Sequence, residues 1–123
     1  MIVKHIPQLP FFKAGDETHL AEVLHPKNDL IELPYSIAYA TIAPGKTSLP
    51  HTLSGSETYI FTAGAGEITV NEMTQKVGKG VVVLVPEKAR QFVENQGDTD
   101  LCFYCIVTPA WSEESEEVEE TLG

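Results

Sequence analysis

Two residues near the middle of the chain have the types and spacing for chemistry. His51 and Glu57 stand six apart in PGKTSLPHTLSGSETYIFTAGAG, a stretch with proline or glycine at both ends. An imidazole and a carboxylate brought together can share a metal ion, pass a proton, or form a hydrogen-bonded pair in a polar pocket. A second grouping is CFYC, Cys102 to Cys105. A zinc site of that kind needs a second ligand pair, and the chain has no other cysteine. A redox pair needs a helix start, whereas DLCFYCIVTP is β-branched and aromatic, the composition of a strand. On a strand, residues three apart face opposite ways and lie about 10 Å apart, too far for a disulfide. Two buried core thiols are expected.

The elements that must position these residues are short strands separated by turn signals, without an amphipathic helix. MIVKHI reads as an opening strand before the proline-rich link PQLPFFKAGDE. THLAEVLH is a strand or a helical turn, and HPKND is a loop. In YSIAYATIAP, Tyr35, Ile37, Tyr39 and Thr41 share one face, with Ser36, Ala38, Ala40 and Ile42 on the other. SETYIFTAG, GEITVNE, QKVG and ARQFVEN follow, and LCFYCIVTP closes the series. GVVVLVP is apolar on both faces and reads as an interior strand that Pro86 ends. The strand density predicts an all-β sandwich or barrel.

At 123 residues the chain is one domain with room for a core. Of its net charge of −10, six glutamates lie in the ending SEESEEVEETLG; without them 12 acids face 8 bases, a net of −4. The acidity belongs mainly to the end, read as a solvated extension or a marginal terminal helix. No basic stripe argues for nucleic acid, and no apolar run is long enough for a membrane span. The amino-terminal residues do not look like a signal peptide, so a cytoplasmic location is expected. Residues 1–111 are assigned to the folded domain with an amino-terminal strand arm, and 112–123 to the acidic tail.

The spacing of glycines, prolines and polar residues resembles the cupins. Gly45, His51, Leu53, Glu57 and Gly64 follow the first cupin motif, G-x5-H-x-H-x3-E-x6-G, with leucine at the second histidine. Gly80, Pro86, Lys88, Gln91 and Asn95 follow the second, G-x5-P-x-G-x2-H-x3-N, with lysine for glycine and glutamine for histidine. The likeness spans Tyr35 to Val107 and is closest to small single-domain cupins. It implies a double-stranded β-helix (jelly-roll) barrel in which Gly45, Gly64, Gly66 and Gly80 serve tight turns or close backbone approach.

The resemblance also implies a candidate metal set of His51, Glu57 and Gln91. The ion would be divalent (manganese, iron, zinc or nickel), and this hard donor set leans toward manganese, iron or magnesium. Glu57 and Tyr39 are the candidate catalytic residues, Glu57 as base or ligand. Tyr39, His19 or His25 is a candidate fourth ligand or proton-transfer group. The alternative is a metal-free polar pocket built on the same residues, with Tyr59, Phe61 and Phe92 near its mouth. Three functions remain open: a metal-dependent enzyme on a small carbohydrate or metabolite, isomerase- or epimerase-like; a non-catalytic binding or sensing module; or a structural barrel with a vestigial pocket. The expected partners are a small-molecule ligand and a second copy of the chain, paired through the amino-terminal strand, with neither nucleic acid nor membrane.

Overall fold

Alternation along the sequence becomes alternation in burial. Across Ser56–Ala63, Glu57, Tyr59 and Phe61 turn inward; across Leu101–Thr108, Leu101, Phe103, Cys105 and Val107 do the same. These two strands pair antiparallel, with Phe103 opposite Phe61 and Cys105 opposite Tyr59, so their inner faces share one aromatic cluster. The rings of Tyr59, Phe61 and Phe103 lie with centroids 5.2 to 5.8 Å apart.

The structure is a computed structural model and describes residues 1–120. Its strands are β1 (Phe12–Lys13), β2 (His19–Leu24), β3 (Ser36–Ile42), β4 (His51–Leu53), β5 (Ser56–Ala63) and β6 (Ala65–Val70). They continue as β7 (Met73–Gly78), β8 (Val82–Val85), β9 (Gln91–Asn95), β10 (Leu101–Thr108) and β11 (Glu116–Val118). One sheet has the order β1-β2-β3-β10-β5-β8 and the other β11-β4-β9-β6-β7. Between them lies one apolar core, to which the second sheet contributes Ile68, Val77 and Val93. This is the all-β jelly-roll expected from the sequence. Among the described residues no helix is long and apolar enough to cross a membrane.

Close backbone approach explains the glycine framework. Gly64 joins β5 to β6 at φ +89°, and a Cβ there would stand 2.6 Å from the Asp100 carbonyl oxygen. At Gly66 a Cβ would stand 2.3 Å from the Glu94 carbonyl oxygen, so a side chain would break the β6–β9 ladder. Lys88, where the second motif has glycine, adopts φ +68°, a left-handed conformation that disfavours residues with a Cβ. Its amide donates to the Leu53 carbonyl at 2.7 Å, which ties the turn to β4.

Several local expectations are corrected. MIVKHI forms no strand: its chain runs outside both sheets into a 3-10 turn, Ile6–Gln8. HPKND is not a loop but one helical turn (α1, Pro26–Asp29), with His25 Nδ1 accepting the Lys27 amide proton at 3.1 Å. GVVVLVP is not interior. β8 is an edge strand, with Val82 61% and Leu84 67% exposed, because only its Val83 and Val85 side faces the core. Cys102 and Cys105 face opposite ways and are both free, but only Cys105 is buried.

The acidic ending is the largest departure. Glu116–Val118 is neither a solvated extension nor a helix but an antiparallel strand on β4, with Val118 opposite His51 and Glu116 opposite Leu53. Beyond it, Arg90 clamps Glu119 through two hydrogen bonds, Nε to Oε2 at 2.6 Å and Nη2 to Oε1 at 3.1 Å.

Candidate functional site

His51 opens β4 and is 3% exposed. Its Nε2 lies 3.3 Å from Glu57 Oε1, so the two strongest sequence candidates converge inside the barrel. Two further carboxyl groups flank the ring: Asp16 Oδ2 is 3.8 Å from Nδ1, and Glu116 Oε2 is 3.9 Å from Nε2. The Leu49 carbonyl oxygen lies 3.4 Å from Nδ1.

Local structure explains how each acid arrives. Asp16 sits in the turn before β2, where its Oδ1 accepts the Thr18 amide at 3.1 Å and the Thr18 hydroxyl at 2.8 Å, leaving Oδ2 toward the histidine. The Leu49 amide donates to the Asp16 carbonyl at 2.7 Å and fixes that turn against the segment leading into β4. Glu116 arrives because β11 pairs with β4.

The surroundings set the protonation of this group. Burial by itself disfavours a charged His51 ring, but the hydrogen bond and charge of Glu57, with the charges of Asp16 and Glu116, outweigh it and raise its pKa to about 9. Burial raises the pKa of Glu116, only partly offset by His51. Burial also pushes the Tyr59 hydroxyl and the Cys105 thiol well above their ordinary values, so both remain protonated at neutral pH.

The other sequence candidates fare differently. Gln91 is buried directly opposite His51, but its Oε1, the one amide atom able to ligate a metal, accepts the Tyr59 hydroxyl at 2.5 Å. Tyr39 does not reach the pocket. It lies on the outer face of β3, 5.0 Å from the Tyr104 ring and edge-on to Phe11, because Ala38 and Ala40 take the inner positions. His19 is on the same outer face, stacked on Phe11 at 5.0 Å. His25 borders the cavity, but both nitrogens are engaged: Nδ1 by the Lys27 amide, and Nε2 by the Trp111 carbonyl at 2.7 Å. Phe92 points outward beneath Arg90. Asp16 and Glu116 were missed. An Asp-x-Thr turn is visible in the sequence, but nothing along the chain distinguishes Glu116 from its five glutamate neighbours.

The residues enclose a cavity of about 100 Å³ between the sheets. Around the acids its wall is apolar, with Leu20, Ala40, Leu53, Phe103 and Val107. Such a site can bind a small molecule, hold it by hydrogen bonds and exchange a proton with it.

The model of the Cupin domain matches residues 38–107, more than half of the chain and the stretch that carries β4, β5 and β9. The chain belongs to the cupin family.

This cupin shares its fold with solved structures of low sequence identity. The plu4264 protein from Photorhabdus luminescens is 23% identical with a TM-score of 0.76, over 94% of this chain and 91% of that one. A predicted oxalate decarboxylase (tm1287) from Thermotoga maritima is 19% identical with a TM-score of 0.78, over 88% of this chain and 99% of that one. Ectoine synthase from P. lautus is 18% identical with a TM-score of 0.74, over 97% of this chain and 90% of that one. No curated protein matches the chain. The described activities differ from one structure to the next, so the likeness carries the barrel and not a reaction.

Proposed function

We propose that this cupin binds a small organic molecule in the cavity between its sheets, without a resident transition metal. The His51–Glu57 pair would supply the hydrogen-bonding and proton-carrying contact. The observation that carries this reading is the 3.3 Å contact between those side chains in a largely apolar enclosure of about 100 Å³.

The donor chemistry argues against the metal set implied by the motifs. Leucine occupies position 53, and the Gln91 oxygen is committed to the Tyr59 hydroxyl. Among the described residues no three histidine, cysteine, aspartate or glutamate side chains form a group suited to hold an ion. Of the motif-implied set only one imidazole and one carboxylate remain, short of the three or four protein donors usual for such ions. Nor does oxalate transfer readily from the Thermotoga neighbour, since a dianion would meet Asp16, Glu57 and Glu116 together.

A second reading, isomerase- or epimerase-like turnover, is favoured by the same contact, with Glu57 as the base. Protein purified without an affinity tag or added metal should contain no transition metal at stoichiometric level. A ligand-observed NMR screen of neutral, anionic and cationic fragments should give hits that vanish in Ala38→Phe, which fills the cavity. A stoichiometric transition metal, or no hits at all in the native protein, overturns the reading. Turnover of a hit that Glu57→Gln abolishes while binding persists selects the second reading.

Association as a homodimer is part of the proposal, but through a different surface from the amino-terminal arm. β8 has one unpaired edge, and Val82 and Leu84 extend an apolar outer face past Ile60, the ladder partner of Val82. A second copy would cover that face and complete the edge. Light scattering at micromolar concentration should give twice the chain mass, and a monomer overturns this part.

A further inference from the structure

The cavity's charge balance identifies the kind of ligand it suits. Asp16, Glu22, Glu57 and Glu116 border it, and among the described residues no lysine or arginine does. Even with His51 carrying a proton, the acids outnumber the cations four to one. Enclosure by apolar walls makes that imbalance costly, because carboxyl groups in a low-dielectric site need a compensating charge.

Glu57 is the focus of the imbalance. It is 6% exposed, the second residue of β5, and its closest described polar contact is the long one from His51 to Oε1. Its carboxyl group borders the cavity, and its other near donors are the neutral Tyr59 hydroxyl and Cys105 thiol, neither of which supplies a compensating charge. Asp16 is oriented by Thr18, and Glu116 is delivered by β11, so the acids come from three separate elements. The rings of Phe12 and Trp111 also border the space, and aromatic faces attract organic cations.

We infer that the cavity binds a small organic cation, a primary ammonium or guanidinium on a short aliphatic body, with Glu57 as its principal counter-charge and Asp16 and Glu116 beside it. This rests on the small-molecule reading above and specifies its ligand class. The ammonium lies toward the acids, and the carbon body lies against Leu20, Phe103 and Val107. Size sets the limit: about 100 Å³ is less than the ~150 Å³ of an engineered cavity that takes up benzene, so the body is a few carbons long. A bare metal ion would leave the apolar wall unused, and among the described residues no three candidate ligands are grouped to hold one.

Three probes of nearly equal size separate the possibilities: propylammonium, 1-propanol and propionate, titrated at fixed ionic strength and followed by amide NMR shifts. Manganese chloride serves as the inorganic arm, read by relaxation. Propylammonium should shift residues of β4, β5 and β11 and bind at least tenfold more tightly than propanol, with propionate giving no pocket shifts. Glu57→Gln should weaken it by about tenfold, the loss of one charge-assisted contact. If that variant does not fold, Glu116→Gln, at a less buried side chain, should weaken it by severalfold. Propanol or propionate binding as tightly as propylammonium overturns the inference, as does manganese binding in the pocket more tightly than the amine. Binding insensitive to both variants also overturns it. Fragment hits confined to neutral or anionic compounds would refute the ligand class while leaving the small-molecule reading intact.

Discussion

Raising the pH from 6.5 to 9 is expected to remove about 3 kcal/mol of folding stability through His51 alone. Its pKa rises from an ordinary 6.5 to about 9 in the folded protein, so the folded state holds the ring proton more tightly than the unfolded chain. The stabilisation is therefore complete below pH 6.5 and is lost as the pH rises through 9. Its physical source is Glu57 at 3.3 Å, with Asp16 and Glu116 beyond, acting on a ring that burial alone would keep neutral. Glu116 acts in the same sense from about pH 4.5 upward, since burial raises its pKa as well. Urea denaturation at constant ionic strength, from pH 6 to 9.5, should show the midpoint falling across this window. In His51→Gln the same window should be nearly flat. A native midpoint unchanged between pH 6.5 and 9 would refute the account of a charged ring held among carboxyl groups.

Restoring the two missing histidines should turn the pocket into a metal site. Leu53 borders the cavity two residues after His51 on the same face of β4, and Gln91 stands opposite His51 across the β4–β9 ladder. Leu53→His with Gln91→His would thus bring three imidazoles and Glu57 toward one point. It would also free the Tyr59 hydroxyl from its amide partner. The double variant should bind nickel or manganese about 100-fold more tightly than the native protein, a change that about 3 kcal/mol supplies. Titration calorimetry under a chelator of known affinity measures it, with circular dichroism confirming that the barrel persists. Equal affinities in a folded double variant would show that the backbone does not bring these positions together. Tight binding by the native protein would remove the metal-free reading.

The two experiments probe one arrangement from opposite sides. The first asks what carboxyl groups do to an imidazole in the native pocket. The second asks what the same backbone does when given the donors that the two cupin motifs have elsewhere.

The central strands, the glycine framework and the candidacy of His51 and Glu57 were legible in the sequence, whereas the fate of MIVKHI and of the acidic ending was not. Alternation with a period of two fixes which side chains share a face once one face is buried, and Gly64 and Gly66 mark places where backbones meet. Tyr39 shows the limit of that rule. Its strand was legible, but which of its two faces turns inward depends on what packs against it. β8 shows the same limit. An apolar run can lie inside a sheet or at its edge, and only the order of strands tells them apart.

Tertiary structure alone decided the rest of the site. Asp16 and Glu116 lie 35 residues before His51 and 65 after it, and both reach its ring because strand pairing closes long loops that no local pattern records. The run of six glutamates reads as a solvated end until one of its members finds an unpaired edge on β4. There, backbone hydrogen bonds and the Arg90 clamp hold it against the pocket, and an acid from the tail becomes part of the interior.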